Sequence, residues 1–299
     1  MKQVLILSGK GGTGKTTIAS AFIKLTKARA CADCDVDAPN LHLVHQQKTV
    51  PERYDYYGMA KAVIDEQLCT GCNLCHIHCH FDAIRTGTVC TIDPFACEGC
   101  GVCIKLCPLQ AISLQPAIAG EQSLYRSPMV FSTACLHMGS GTSGKLVAEV
   151  KKKLQSSVVA GTELAIIDGS PGIGCPVIAS LSGVDLVLIV TEPSVSGISD
   201  MKRIIQTAEQ FQIKISICIN KYDTNGEKSK EIEKFCQDRG FCFAGGIPFD
   251  SEAVKTVNLG QTVIDRECPA GQAVKDVFSV IECELKKIVE VEHANKNIG

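Results

Sequence analysis

Two groups of residues in this chain could do chemistry. The first is the stretch LILSGKGGTGKTT, residues 5–17. Gly9, Gly11 and Gly14 fit the G-x-G-x-x-G spacing of a dinucleotide loop, while Gly9 to Thr16 fit the G-x-x-x-x-G-K-T of a phosphate loop. The aspartates Asp33, Asp35 and Asp37 begin about 20 residues on, where a dinucleotide enzyme keeps its ribose acid. Lys15 and Thr16 favour the phosphate loop. A lysine at the helix start supplies charge to β- and γ-phosphates, and the Thr16 hydroxyl can ligate Mg²⁺. Asp168 ends the apolar run ELAIID, where an acid near Mg²⁺ would sit. The loop Gly9, Lys10, Gly11, Gly12, Thr13, Gly14, Lys15, Thr16 and Thr17 is therefore expected to bind a nucleoside triphosphate.

The second group is cysteine. The chain has 18 of them in 299 residues. Between positions 63 and 112 it repeats itself: VIDEQLCTGCNLCHIHCHFDAI returns as TIDPFACEGCGVCIKLCPLQAI. Each copy carries C-x-x-C-x-x-C-x-x-x-C. Three closely spaced thiolates can wrap one corner of an iron–sulfur cube, and the fourth cysteine of each run ligates the other cluster. The expected sets are crossed: Cys69, Cys72, Cys75 and Cys107 for one [4Fe–4S] cluster, and Cys79, Cys97, Cys100 and Cys103 for the second. Structural zinc is the alternative, since C-x-x-C pairs also bind zinc, but zinc has no use for this doubled spacing. The module resembles bacterial two-cluster ferredoxins. It departs from them at one point: Pro108 follows Cys107 as that pattern has it, but His80 follows Cys79. His76, His78 and His80 are read as solvated or hydrogen-bonding. Among the other cysteines, Cys31, Cys218, Cys236, Cys242 and Cys283 sit in apolar contexts and read as core filling. Cys175 falls in a loop of interest and is a candidate redox thiol or transient cluster ligand.

Composition agrees with a soluble globular chain: 45% hydrophobic residues and a net charge of -2. No basic run exceeds Lys151–Lys153, which argues against nucleic acid. No stretch approaches the ~20 apolar residues of a membrane span, and the N-terminal apolar run is too short for an export signal, so no membrane anchor and a cytoplasmic setting are expected. Apolar runs at 2–8, 29–34, 163–168, 185–191 and 213–220 read as buried strands. Helical patterns at 15–27, 144–154, 199–210 and 229–239 separate them. This alternation predicts an α/β fold with a mostly parallel sheet, its functional loops at the strands' carboxyl ends, interrupted by an inserted α+β ferredoxin-like domain. The expected boundaries are 1–60 and 117–299 for the ATPase domain and 61–116 for the insert.

The loop Lys10-Gly-Gly-Thr-Gly-Lys15-Thr-Thr resembles the deviant Walker A motif of the MinD/ParA superfamily, which includes cell-division and partition ATPases, Mrp-type iron–sulfur carriers and the nitrogenase iron protein. The resemblance implies a P-loop NTPase fold and a homodimer that closes on nucleotide, with Lys10 reaching the partner's phosphates. DCDVDAPNLHL from Asp33 resembles the family's first switch, which implies that Asp35 orients the attacking water beside Mg²⁺, with Asp33 and Asp37 near the metal or switch. DGSPGIGCPV from Asp168 resembles the second switch, with Gly172 sensing the γ-phosphate. TEPSVSG from Thr191 matches a further segment. NKYD implies that Asn220 contacts adenine, with the backbone at Pro248 helping. NKYD is also close to a guanine-reading motif, but the rest of the set favours ATP. Implied catalytic groups are Lys10, Lys15 and Asp35, and implied Mg²⁺ ligands are Thr16, Asp35 and Asp168. Three functions follow. The favoured one is an ATP-hydrolysing iron–sulfur protein, in metallocofactor assembly or electron delivery to an unidentified redox or assembly partner. Another is a spatial-organising ATPase whose clusters sense redox state, although the tail VKDVFSVIECELKKIVEVEH lacks a basic amphipathic face. The third is a redox module with a structural nucleotide.

Overall fold

The computed structural model describes residues 1–44, 47 and 49–296. In chain order the elements are β1 (Lys2–Ser8), α1 (Lys15–Thr26), β2 (Ala30–Asp33), α2 (Leu41–Val44), β3 (Glu52–Tyr57), β4 (Lys61–Ile64), α3 (Leu74–Ile77), β5 (Ile84–Arg85), β6 (Thr91–Ile92), α4 (Val102–Leu106), β7 (Ile112–Gln115) and β8 (Ile118–Tyr125). They continue with β9 (Val130–Leu136), α5 (Ser143–Ser157), β10 (Leu164–Asp168), α6 (Cys175–Leu181), β11 (Leu186–Thr191), α7 (Val195–Gln210), β12 (Lys214–Asn220), α8 (Gly226–Arg239), β13 (Cys242–Ile247), α9 (Ser251–Asn258) and α10 (Pro269–Lys296). They form two compact units: Met1–Glu52, Ser123–Ala134 and Gly144–Gly299 make the first, and Arg53–Gln122 with Cys135–Ser143 the second.

In the first unit, neighbouring strands run parallel in the order β13-β12-β11-β1-β10-β2-β9. This is the mostly parallel α/β sheet that the alternating pattern predicts. Helices cover such sheets on both faces, so its central strands are apolar throughout: Val4 to Leu7 and Leu186 to Val190 are all buried. Pairing sets the site. Ile6 stands opposite Asp168, and Asp168 opposite Asp33, so the carboxyl ends of β1, β10 and β2 lie side by side. α1 turns Ile18, Ala19, Phe22 and Ile23 inward. Phe22 meets Phe278 of α10 edge to face, with ring centroids 5.0 Å apart, an arrangement that adds to area burial.

α5 carries a buried lysine. Lys151 donates to the carbonyls of Ser180 and Ser182, and burial pulls its ammonium down to about 8. The unfolded chain holds that proton up to its ordinary range, so between about pH 8 and 10.5 the unfolded state binds more protons and stability rises with pH. The expected gain is on the order of 3 kcal/mol over the whole window, about 2 of it between pH 7.5 and 9.5. Urea midpoints at pH 7.5 and 9.5 check it: Lys151→Met should flatten this rise, and an equal rise in both proteins would assign it elsewhere.

The second unit is built around the duplication. β4 pairs antiparallel with β7, and β5 with β6, so each ribbon joins the two copies or their ends. The Asp65 N–H donates to the Ala111 carbonyl and the Asp93 N–H to the Ala83 carbonyl, both at 2.7 Å. These are the same bond made once by each copy. Backbone angles repeat too: φ is 67° at Gly71 and 66° at Gly99, and 61° at Asn73 and 75° at Gly101. The unit's buried core is small: Ala62, Ala83, Ile84 and Ile112, together with Cys75, Cys90 and Cys97.

Three sequence readings shift. The unit begins before residue 61 and ends after 116, because Tyr56 on β3 is buried and its hydroxyl bonds Thr142 at 2.9 Å. α7 starts at Val195 rather than 199, since the Ser194 hydroxyl accepts from the Gly197 N–H and caps the helix there. Cys283 is exposed on α10 and is not core, whereas Cys31, Cys218 and Cys236 are buried. Among the described residues, no helix is long and apolar enough to cross a membrane.

Candidate functional site

The loop between β1 and α1 folds back over the start of the helix. Gly14 holds a left-handed φ of 89°, and a Cβ there would meet the Asn220 amide at 2.4 Å. Gly9 has no room for a side chain either, since its Cβ would lie 2.1 Å from that of Asp200. The loop is therefore glycine where the backbone must bend and where α7 and β12 press on it. Asn220 donates its side-chain amide to the Thr13 carbonyl at 2.8 Å and accepts from the Lys221 N–H, so it braces the loop.

Lys15, at the first position of α1, is nearly buried. Its ammonium lies 2.7 Å from Asp168 and 3.7 Å from Asp35. Burial alone would pull that ammonium down, but Asp168, Asp35 and Asp33 outweigh it and hold Lys15 above its usual range. The Thr16 hydroxyl donates to the other Asp168 oxygen at 2.6 Å. Asp33 is wholly buried and accepts from the N–H groups of Asp35, Asn40 and Leu41, so it shapes the loop that presents Asp35. Burial and Asp168 push Asp33 up to about 7, and burial raises Asp35. This is a nest of three carboxylates around one buried cation, at the crevice where parallel sheets bind ligands.

A cavity of about 900 Å³ opens over the loop, lined by Gly11, Gly12, Gly14, Lys15, Thr16, Thr17, Asp35 and Asp37. A second, of about 230 Å³, shares Gly12, Gly14 and Thr17 with it and continues to Asn220, Pro248 and Phe249. The larger cavity has the size and backbone donors for phosphates, and the smaller, with Ile18, Ile247, Pro248 and Val254 in its wall, offers apolar surface to a base. The hard oxygens of Thr16 and Asp35 face the larger cavity and suit Mg²⁺, while Asp168 stands behind Thr16. Gly172, with φ 96°, donates its N–H to the Ser8 carbonyl at 2.9 Å. Lys10 points elsewhere: its ammonium rests on Glu192 at 3.1 Å, beside Lys221. Nothing in the sequence alone paired Lys10 with an acid 182 positions away; the only signal was a charged residue directly after the apolar β11.

A nucleotide-binding family model, the CobQ/CobB/MinD/ParA nucleotide binding domain, matches residues 4–263. The chain belongs to that family. An uncharacterized protein of Methanocaldococcus jannaschii is 30% identical over 94% of this chain and 96% of its own. The iron–sulfur cluster carrier protein of Pyrococcus horikoshii is 23% identical, over 96% of this chain and 87% of the carrier. The cell-division ATPase MinD of Pyrococcus furiosus superposes with a TM-score of 0.55 at 16% identity, covering 94% of this chain and 98% of that one. The MinD-like fold and a nucleotide-hydrolysing site of this family thus account for the first unit.

In the second unit the eight expected cysteines fall into two cavities. One is lined by Cys69, Cys72, Cys75 and Cys107, the other by Cys79, Cys97, Cys100 and Cys103. The fourth cysteine in each cavity comes from the other copy of the repeat. Among the described residues, no three His, Cys, Asp or Glu side chains close on a single point as one metal ion would need. His76 and His78 are hydrogen-bonded through their rings to the carbonyls of Ile84 and Leu74. Cys175 is exposed at the first residue of α6. A ninth cysteine, Cys90, lines the first cavity and was not singled out by the spacing.

Proposed function

We propose that this protein is an ATP-hydrolysing iron–sulfur protein in which nucleotide-driven closure of a homodimer acts on two [4Fe–4S] clusters, serving metallocofactor assembly or electron delivery to a protein partner. The observation that carries this reading is the partition of the eight motif cysteines between two cavities, four to each, in crossed sets. The donor chemistry fits. Zinc would require four thiolates at about 2.3 Å from one point. A cube gives each thiolate its own iron, so the sulfurs stand apart around a shared space. Backbone groups already aim at them: the Ala111 N–H donates to Cys107 at 3.3 Å and the Ala62 N–H to Cys97 at 3.5 Å, the kind of bond that stabilises a ligating thiolate. On this reading residues 61–116 form the ferredoxin-like insert, carried within the larger second unit. When bound, the clusters supply one-electron storage at potentials set by these surroundings. The similarity to a relative named as an iron–sulfur cluster carrier adds weight, at 23% identity.

For the nucleotide half, Lys15 binds the β- and γ-phosphates, Thr16 and Asp35 offer oxygens to Mg²⁺, and Asp35 aligns the water whose attack releases phosphate. Asp168 holds Lys15 and Thr16 in place. Gly172 senses the γ-phosphate, and Asn220 and Pro248 border the base. Lys10 leaves Glu192 to reach the partner's phosphates on closure.

Anaerobic purification with iron and sulfide analysis, with and without Mg-ATP and an apo-acceptor, tests the proposal. About eight irons per chain are expected. Nucleotide-dependent loss of iron to the acceptor selects assembly, and nucleotide-dependent reduction of the acceptor with iron retained selects electron delivery. Iron at background overturns the reading, and full iron indifferent to nucleotide removes the coupling and leaves a redox sensor.

A further inference from the structure

The two cluster cavities are related by the duplication, so they can be compared position by position. At the 28-residue offset that relates Cys69 to Cys97, Cys90 corresponds to Ala62 and Asn73 to Gly101. The cavity of Cys79, Cys97, Cys100 and Cys103 is lined at these positions by Ala62 and Gly101. The cavity of Cys69, Cys72, Cys75 and Cys107 is lined by Cys90 and Asn73. The backbone equivalence is close. The backbone N–H of Ala62 bonds the Cys97 sulfur, and that of Cys90 bonds the Cys69 sulfur. One copy therefore places a methyl group where the other places a thiol.

The thiol is held for a purpose beyond filling space. Cys90 is 2% exposed, and its side chain reaches both Cys69 and Cys75. Its S–H donates to the Asn73 side-chain oxygen at 3.3 Å, which turns the sulfur lone pairs toward the cavity. Asn73 occupies a left-handed φ of 61° that its counterpart fills with glycine. Asparagine tolerates that conformation better than most side chains, and here it supplies the acceptor. The linings also differ at Thr70 and Glu98, Leu74 and Val102, and Leu109 and Phe81, but of these departures Cys90 and Asn73 are the pair hydrogen-bonded to each other.

We propose that Cys90 is a reserve ligand of the first cluster site, positioned to take over the iron bound by Cys69, and that the second site has no such reserve. This rests on the two-cluster reading above. The exchange is redox-neutral. Cys90 gives up its proton to solvent and its thiolate bonds the iron. The iron–Cys69 bond breaks, and Cys69 takes up a proton. Four thiolates remain on the cluster throughout. A site that can swap a ligand can release a corner to an incoming acceptor thiol without dropping the cube, so the first cluster is the one suited to being passed on, while the second is fixed.

Iron and sulfide counts with EPR of the reduced protein, on anaerobically reconstituted full chains, test this. The unsubstituted chain should hold about eight irons, and if it holds none the two-cluster reading fails before the reserve ligand is at issue. Cys90→Ala keeps all eight ligands and should also hold about eight, which shows that the unit folds without the fifth thiol. Cys69→Ala should retain about eight irons with an altered signal from one cluster, and adding Cys90→Ala should lower it to about four. Cys97→Ala, with Ala62 in the equivalent place, should fall to about four directly, and Ala62→Cys in that background should restore iron toward eight. If Cys69→Ala falls as far as Cys97→Ala, or holds about seven irons as a cube that has lost one corner, Cys90 is not a ligand in reserve.

Discussion

Alanine at Lys10 is expected to slow ATP turnover by about three orders of magnitude or more while Mg-ATP affinity changes by no more than a few fold. The structure separates the two effects. Lys15 lines the larger cavity, near Asp168, Asp35 and Asp33, and on the proposed reading is part of ground-state binding. Lys10 does not line that cavity. Its backbone carbonyl accepts from the Ser8 and Thr13 hydroxyls, which fix the loop, while its ammonium is parked on Glu192. Glu192 also holds Lys221 at 2.6 Å, so losing Lys10 leaves the carboxylate paired and the subunit intact. A single ion pair that is still partly open to solvent contributes on the order of 1 kcal/mol, little enough for closure to break. A positive charge delivered only in the closed dimer acts on the charge that develops during transfer, as an arginine finger does, and so belongs to the turnover rate. The checks are single-turnover rates beside equilibrium nucleotide titrations, followed by mixing Lys10→Ala with Asp35→Ala. If Lys10 acts across the dimer, the mixture regains activity that neither variant has, because one site of each mixed dimer is complete. A parallel fall in affinity and rate, with no recovery on mixing, would make Lys10 a ligand of its own subunit's phosphates.

The nucleotide site was largely legible in the sequence because its parts are local. The glycine loop, the helix start and the apolar strand ending at Asp168 are each written in consecutive residues. Parallel β1 and β10 needed only their carboxyl ends aligned to bring Asp168 beside Lys15. The eight cysteines were legible for a similar reason, since duplication prints the same geometry twice. What was not legible depends on contacts between distant segments. β13 is CFAGGI, with two glycines and a register shift opposite Ile217 and Cys218, so it carries little strand signal of its own and is held by pairing to β12. Tyr56 is tied to the second unit by a bond to Thr142, 86 positions away. The role of Asn220 also changed scale: its amide braces Thr13, so its influence on a bound base comes through the loop as well as through the cavity it lines. Cys90 lay hidden because it falls outside the cysteine motif; the duplication offset that sets it against Ala62 gains meaning only once both are seen in equivalent cavities.

Asparagine at Asp168 is expected to have two effects, which a thermal-shift series with ATP, with and without Mg²⁺, can separate. Asp168 is fully buried and is the partner of a nearly buried ammonium. Removing its charge leaves Lys15 with Asp35 at 3.7 Å and the more distant Asp33, and breaking a buried pair on one side costs about 3–5 kcal/mol. The nucleotide-free protein should therefore melt several degrees lower. The second effect follows from Thr16. In the native site its hydroxyl donates to Asp168, which turns the oxygen's lone pairs toward the cavity where a cation would sit. Asparagine can accept from Thr16 or face Lys15 with its amide, but it cannot serve both groups with negative charge. Mg²⁺ should then add little to the stabilisation given by ATP, whereas in the unsubstituted protein the metal should add to it in proportion to the logarithm of affinity gained. Turnover should fall with it, since Mg²⁺ would be held less firmly where it would neutralise phosphate charge. Asp33→Asn is the control. Asp33 accepts from three backbone N–H groups and shapes the loop, so this change should lower the melting temperature while leaving the Mg²⁺ increment in place. An equal loss of that increment in both variants would mean that the metal responds to the total negative charge around Lys15 and that Asp168 has no special position in the site.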